Sequence, residues 1–236
     1  MTCINRIVVK QLFKELDKID YSRSNMTIGT KSDNSFVTNI DYKANDVIEK
    51  FFNTLYGESL VNIISEENHN RYNEETKYNI VVDPIDGTEN LVHGIPIFGV
   101  SVSIFEYGKP LYHTLYFPLL KQYIASDMIL NNTTVSLHHK NRLILLSSNT
   151  SLEDIQHAST DDNEYRLYGC ATYNMYLVLC RKAHMYTNLK ANSYDILAGI
   201  NIAMDVDGLD VFIDDKPYSG EFLFRNKTYK IVMKWR

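Results

Sequence analysis

Short β-rich runs that lead into acidic residues constrain the fold of this chain more than any other feature. Val61–Ile64 is followed by Glu66 and Glu67, and Tyr78–Val82 is followed by Asp83. Strands of α/β folds deliver side chains to a site at their ends. The sequence therefore predicts a sheet at whose edge carboxylates collect.

Amphipathic helices accompany these strands. Apolar residues at helical spacing predict one helix from Ile4 to Ile19 and a second from Ala44 to Leu55, which ends near Gly57. The tail from Asp205 is predicted to hold only turns and short strands. Three strands, Phe98–Phe105, Pro110–Tyr116 and Gln122–Ala125, are predicted to form an antiparallel meander joined by tight turns. Further strands are predicted at Leu143–Leu146 and His184–Asn188, and further helices at Leu152–Ala158, Tyr173–Cys180 and Tyr194–Met204.

Composition excludes several classes of protein. The 236 residues carry 24 Lys and Arg against 29 Asp and Glu, so the net charge of −5 offers no broad basic field for direct nucleic-acid binding. The apolar runs are too short for a membrane span, and three cysteines without metal-type spacing favour reduced thiols in the cytoplasm. No linker divides the chain, so we expect one domain over residues 1–236 with two packed lobes, about 1–142 and 143–236.

The densest chemical signal is the acidic stretch from Asp83 to Asn90, which reads DPIDGTEN. Carboxylates and a backbone carbonyl are ligands suited to Mg²⁺, and two acids on one tight segment can bridge a pair of ions. A polar turn is the alternative, since Asp-Pro and Asp-Gly form turns readily. Glu66 and Asp195, which also lie at element ends, favour the metal hypothesis.

These residues resemble the inositol monophosphatase family of Mg²⁺-dependent, lithium-sensitive phosphatases. The resemblance rests on the acidic stretch, on the upstream Glu66-Glu67 pair, and on the downstream run from Tyr194 to Gly199, YDILAG. It extends to the segment from Lys31 to Asp41 and to His93-Gly94-Ile95-Pro96. The resemblance implies a layered αβαβα sandwich, in the α/β class, and a homodimer.

The resemblance also implies the ligands of two or three Mg²⁺ ions. Glu66, Asp83 and the Ile85 carbonyl would bind one ion, with Thr88 close by. A second ion would use Asp83 together with Asp86 and Asp195. A third, weaker ion would again use Glu66, which is therefore counted among the catalytic residues.

Catalysis would then proceed by attack of a metal-activated water on a small phosphorylated substrate. The backbone N–H groups of Gly87 and Thr88 are expected to hold the phosphate. Thr88, hydrogen-bonded to Asp41, is the implied proton acceptor pair. Helix capping is the alternative role for Thr88 and Asp41, and the two roles are compatible.

Departures from the family pattern concern the substrate. Glu89 lies beside the expected phosphate, and Asn188 and His184 stand where the family commonly has acids. Asn188 and Asp195 are the expected substrate contacts. We expect inositol 1-phosphate or a related sugar or polyol phosphate as substrate. The alternatives are fructose 1,6-bisphosphate, histidinol phosphate, NADP or 3′-phosphoadenosine 5′-phosphate, or a role in RNA polymerase association like that of the extragenic suppressor proteins.

Overall fold

A computed structural model describes residues 4–68, 70–128, 142–151, 153, 163–223 and 227–236 of the chain. Most helices begin and end within a few residues of the predicted limits. The described helices are α1 (Arg6–Leu16), α2 (Asn39–Tyr56), α3 (Thr88–Val92), α4 (Ala171–Leu179) and α5 (Ser193–Ala203). Of the predicted helix at Leu152–Ala158, only residue 153 lies within the described residues.

Capping explains the two helix starts that differ most from prediction. Helix α1 begins after Asn5, whose side chain accepts hydrogen bonds from the amides of Ile7 and Val8. Helix α2 begins at Asn39, five residues earlier than predicted, because Thr38 and Asp41 form a capping box. It ends as predicted before Gly57, whose φ of 91° suits glycine.

The first large sheet has five strands in their order along the chain. Its first two strands are parallel and the rest are antiparallel, which confirms the predicted meander. Parallel pairing puts the ends of the first two strands at the same edge, so the acids that follow them are neighbours. The strands are β3 (Val61–Ser65), β4 (Tyr78–Asp86), β5 (Gly99–Glu106), β6 (Lys109–Phe117) and β7 (Gln122–Ala125).

Strand β4 continues through the acidic stretch. All nine of its residues are buried, and its pairing with β5 shifts register between Asp83 and Asp86. Such a bulge bends a strand and redirects its side chains. The polar turn considered as an alternative is therefore wrong for Asp83 to Asp86, whereas Gly87 does turn the chain.

The second large sheet has six strands in the order β12-β11-β13-β10-β8-β9. The prediction of only short strands after Asp205 was wrong, because β13 is eight residues long and lies between β10 and β11. Alternate burial of its side chains is the pattern of a strand with one face in the core. These strands are β8 (Arg142–Leu146), β9 (Asn163–Leu167), β10 (Met185–Asn192), β11 (Leu209–Ile213), β12 (Lys216–Pro217) and β13 (Thr228–Trp235), and a separate hairpin has β1 (Ile28–Thr30) and β2 (Phe36–Thr38).

Helices and sheets alternate in layers, as predicted. Helices α1 and α2 pack on one face of the five-stranded sheet, and α4 and α5 lie between the two sheets. Successive side chains of β4 point to opposite faces of the sheet: Ile80 and Val82 join the hydrophobic core formed with α1 and α2, and Val81 joins the core formed with α4 and α5. The layered α/β fold is confirmed; the division into two lobes stays a prediction. In the described parts of the chain, no helix combines the length and the apolar character needed to cross a membrane.

A buried histidine links the stability of this fold to pH. His113 on β6 is 3% exposed; its Nδ1 lies 2.6 Å from Ser103 Oγ, and its Nε2 has no hydrogen-bond partner among the described residues. Burial lowers the pKa of His113 from 6.5 to about 3. The unfolded chain therefore binds the proton more tightly than the folded protein.

We expect His113 to cost the fold stability as the pH falls from about 6.5 towards 3. Between pH 7 and pH 5 the loss from this group is about 2 kcal/mol, since each pKa unit is worth about 1.4 kcal/mol. Urea unfolding at both pH values checks this, with His113→Asn as the variant that lacks the loss. His93→Asn removes an exposed imidazole and is the matched control. Equal pH dependence in the wild type and His113→Asn would contradict the prediction.

Candidate active site

Three separate segments bring acids together at the end of β4. Glu66 follows β3, Asp83 and Asp86 lie on β4, and Asp195 lies in the first turn of α5. Burial raises the pKa of Asp83 well above its usual value, and the charges of the other three acids raise it further. The predicted acids therefore interact electrostatically.

The Asp83 carboxylate is the centre of this group. It is 1% exposed, and its Oδ1 accepts a hydrogen bond of 2.9 Å from the Ile85 amide. The nearby charge of Asp195 further disfavours ionisation of Asp83. The pair is therefore costly to hold in its charged form without a cation.

Asp195 is held by the residue that caps its helix. The Asn192 amide donates to Asp195 Oδ2 over 3.3 Å, within the capping box at the start of α5. Burial and the charges of Asp86 and Glu66 raise the pKa of Asp195. The start of α5 thus fixes a side chain that is charged only at a high electrostatic cost.

Asp86 is fixed by the start of α4. The Thr172 amide donates to its Oδ2, and the Cys170 thiol donates to the same oxygen over 3.3 Å. Burial raises the pKa of Asp86, and the Thr172 hydrogen bond opposes this shift. Burial and the nearby Asp86 charge raise the pKa of Cys170, so the thiol keeps its proton at neutral pH.

Lys31 supplies a positive charge to this region. Its Nζ lies 2.6 Å from Glu66 Oε1 and 2.7 Å from Glu67 Oε1. Burial lowers the pKa of Lys31, but the two glutamates together raise it above its usual value. The pKa of Glu66 is nevertheless raised, because its burial outweighs the Lys31 charge.

Thr88 and Asp41 make the contact that the family resemblance implies. Thr88 Oγ1 lies 2.9 Å from Asp41 Oδ1 and 3.0 Å from the Ile85 carbonyl, so its single proton is given to one or the other. Asp41 Oδ2 accepts from the amide and the hydroxyl of Thr38, which is the capping role considered as an alternative. The Asp41 side chain therefore caps α2 with one oxygen and contacts Thr88 with the other.

The turn at Gly87 requires glycine. Its φ is 90°, and a Cβ there would lie 3.1 Å from the Ile97 carbonyl and 3.1 Å from Cys170 Cβ. Gly87 also precedes α3, whose first residue is Thr88. The chain can therefore place two backbone N–H groups here without a side chain covering them.

The acid group matches the chemistry of a divalent cation. The oxygens available to a metal are those of carboxylates and a backbone carbonyl, which Mg²⁺ prefers. Burial, and after it repulsion between the acids, raises the pKa of Asp83 and Asp195. Among the described residues, no three acid, imidazole or thiol groups lie close enough to enclose one ion. Binding of a cation by these residues therefore requires the carboxylates to move closer together.

Two residues that depart from the family pattern, Asn188 and Glu89, differ in their surroundings. Asn188 is 6% exposed and both ends of its amide are used: Nδ2 donates to Tyr186 Oη over 3.2 Å, and Oδ1 accepts from the Lys190 amide over 3.0 Å. Glu89 is exposed in the first turn of α3. Within the site, Glu89 is thus more accessible to a substrate than Asn188.

Sequence reasoning missed the residues that hold the acids in place. The sequence indicates Lys31 only as part of a motif, and it indicates no role for Thr172 or Asn192. A capping pattern, Asn192 three residues before Asp195, was the available signal for one of them. The ion pair of Lys31 and the contacts of Asp86 join residues far apart in sequence, so no local pattern predicts them.

Comparison with known proteins agrees with this geometry. The family model described as Inositol monophosphatase family matches residues 5–229. The Nus factor SuhB of Pasteurella multocida is 26% identical over 203 residues, 79% of this chain and 75% of that protein. The fructose-1,6-bisphosphatase/inositol-1-monophosphatase of Thermotoga maritima is 26% identical over 212 residues, 80% of this chain and 77% of that protein.

A solved structure shares the fold. An IMPase/NADP phosphatase complexed with Mg²⁺ and phosphate superimposes with a TM-score of 0.77 at 22% identity, over 97% of this chain and 87% of that chain. The match of the family model covers nearly the whole sequence, including every acid of the site. This chain belongs to the inositol monophosphatase family.

Proposed function

We propose that this protein is a Mg²⁺-dependent phosphomonoesterase that hydrolyses inositol 1-phosphate or a related sugar or polyol phosphate. One observation carries the proposal: four acids from three segments repel one another beside the Thr88–Asp41 pair, and two of them, Asp83 and Asp86, are buried. Such a concentration of perturbed acids favours a functional site. Family membership supports a phosphatase.

The acids have separate roles in this proposal. Glu66, Asp83 and the Ile85 carbonyl would hold one Mg²⁺, and Asp83, Asp86 and Asp195 would hold a second. A third, weaker ion would also use Glu66. Bound Mg²⁺ lowers the pKa of water and stabilises negative charge on the attacking and leaving oxygens.

Thr88 and Asp41 would move the proton of the attacking water. When Thr88 Oγ1 donates to Asp41 Oδ1, its own lone pairs can accept a proton from water. Asp41 is suited to accept, since burial raises its pKa despite the hydrogen bonds from Thr38 and Thr88. The Gly87 and Thr88 amides would orient the phosphate, as backbone N–H groups at such turns do.

Substrate choice is the less constrained part of the proposal. Asn188 is 6% exposed and Asp195 is partly exposed, so Asp195 is the stronger candidate for contact with a substrate hydroxyl. The names of the relatives add fructose 1,6-bisphosphate and NADP to the substrates worth testing. The homodimer and the cytoplasmic location stay predictions.

Phosphate release from a panel of esters tests the function. The panel contains inositol 1-phosphate, fructose 1,6-bisphosphate, histidinol phosphate, NADP and 3′-phosphoadenosine 5′-phosphate, each with and without Mg²⁺. We expect Mg²⁺-dependent turnover of a polyol or sugar phosphate, reduced ~100-fold or more in Thr88→Ala, because proton transfer contributes on the order of 10²–10⁴ to rate. Turnover of none of these esters by folded protein would contradict the proposal.

Asp83→Asn separates stability from activity. The change removes a buried charge that three other acids repel, so we expect the metal-free protein to gain about 0.5–2 kcal/mol in unfolding free energy. The same change should abolish phosphate release and the rise in Tm on adding Mg²⁺. Thermal unfolding in EDTA and in Mg²⁺ measures both effects.

The control for Asp83→Asn is Glu75→Gln, which removes an exposed charge before β4. Because Glu75 precedes the start of β4 while Asp83 and Asp86 lie towards its other end, Glu75→Gln should change neither the stability nor the response to Mg²⁺. An Asp83→Asn protein that still gains Tm from Mg²⁺ would argue against Asp83 as a ligand.

Glu89 should weaken the binding of anionic substrates. Its exposed carboxylate adjoins the turn expected to hold phosphate, so Glu89→Gln should lower KM about 2- to 5-fold, the size expected for one exposed charge. The effect should shrink at high salt while kcat stays similar, because salt screens exposed charges. Steady-state kinetics at two salt concentrations measure the KM of wild type and Glu89→Gln, and an unchanged KM at low salt would contradict the prediction.

A second candidate function is that of an interaction protein. The similarity to the Nus factor SuhB over 79% of this chain favours it. In that case Asp83→Asn would lose phosphate release but keep the cellular role. Loss of both together would favour catalysis as the role.

A further inference from the structure

The segment from Tyr168 to Thr172 leads from β9 into the first turn of α4. It contacts the acidic stretch from Asp83 to Asn90 at several points. The Asn90 side chain donates to the Tyr168 carbonyl over 2.7 Å, and the Thr172 amide donates to Asp86 Oδ2. A Cβ on Gly87 would lie 3.3 Å from the Gly169 carbonyl. The segment therefore packs against the acidic stretch through Tyr168, Gly169 and Thr172.

Cys170 lies at the centre of these contacts. Its Sγ is 3.3 Å from Asp86 Oδ2 and 3.4 Å from the Asp86 carbonyl, and it lies 3.2 Å from Thr172 Oγ1. Cys170 is 2% exposed and Thr172 is fully buried. The thiol has a single proton, and among these oxygens the Asp86 carboxylate is the charged and therefore the stronger acceptor. Within this site the thiol is a fixed hydrogen-bonding group and more than a packing residue.

The contacts treat the two oxygens of Asp86 differently. The Cys170 thiol and the Thr172 amide both donate to Oδ2, on the side of α4. With Oδ2 held there, Oδ1 is the oxygen that can turn towards a cation. A carboxylate ligand whose second oxygen is already hydrogen-bonded loses less conformational entropy when it binds an ion. Removing the group that donates this hydrogen bond therefore weakens metal binding.

We propose that Cys170 is a positioning residue that fixes the Asp86 carboxylate for cation binding, through its hydrogen bond to Oδ2. The proposal rests on the proposed function, because it takes Asp86 as a Mg²⁺ ligand. It assigns the thiol no contact with substrate and no covalent role. Its measurable consequence is the affinity of the protein for Mg²⁺.

Calorimetric titration of metal-free protein with Mg²⁺ tests the proposal. Cys170→Ala removes the donor and should weaken Mg²⁺ binding about 10-fold, the size seen when a group supporting a metal ligand is lost. Cys170→Ser keeps a donor at this position and should bind Mg²⁺ within about 3-fold of the wild type. The Mg²⁺ concentration for half-maximal phosphate release should shift in parallel.

Cys180→Ala is the matched control, since it removes a thiol that is half-buried at the far end of α4. It should leave Mg²⁺ affinity unchanged. Circular dichroism and urea unfolding establish that each variant is folded before titration. Cys170→Ser serves as the second variant if Cys170→Ala fails to fold, and a 10-fold loss in Cys170→Ser would then overturn the proposal.

The outcomes separate this proposal from the proposed function. Wild-type protein that neither binds Mg²⁺ nor releases phosphate would overturn both. Wild-type protein that does both, with Cys170→Ala binding Mg²⁺ equally well, would overturn only the role of Cys170. Equal losses in Cys170→Ala and Cys170→Ser would also overturn it, because the effect would then come from side-chain volume and not from the hydrogen bond.

Discussion

The rest of this structure depends on the cost of holding four carboxylates together, with Asp83 and Asp86 buried. Burial raises the pKa of Glu66, Asp83, Asp86 and Asp195, and their charges repel one another. The fold lowers this cost with hydrogen-bond donors: the Lys31 ammonium group for Glu66, and backbone amides for Asp83, Asp86 and Asp195. The remaining negative charge is what a divalent cation would neutralise.

The two-sheet architecture explains how distant segments reach the same place. Parallel β3 and β4 bring Glu66 beside Asp83, and the bulge in β4 redirects the chain before Gly87. Helices α4 and α5 lie between the sheets, and their starts reach the same edge with Thr172 and Asp195. The first half of the chain thus supplies most of the acids, and the second half holds them and completes the group.

Much of this was predictable because local physics dictates it. Periodicity predicted both large helices of the first half and the meander, and strand ends followed by acids predicted where the carboxylates collect. The eight-residue β13 was missed although its buried positions alternate in sequence; Lys230 and Lys234 lie on its less buried face. The bonds of Lys31 to Glu66 and of Cys170 to Asp86 span 35 and 84 residues, so only the tertiary fold could reveal them.

Asp41 and Asp195 are each the third residue of a helix and the acidic partner of its capping box. The same two carboxylates therefore cap the N-terminal ends of two helices and also face the site. A lineage that abandoned the chemistry would still be selected to keep an acid or a good capping residue at both positions. Persistence of these two acids among related sequences is consequently weak evidence for retained catalysis, whereas Asp83, which begins no helix, is a more informative position to inspect.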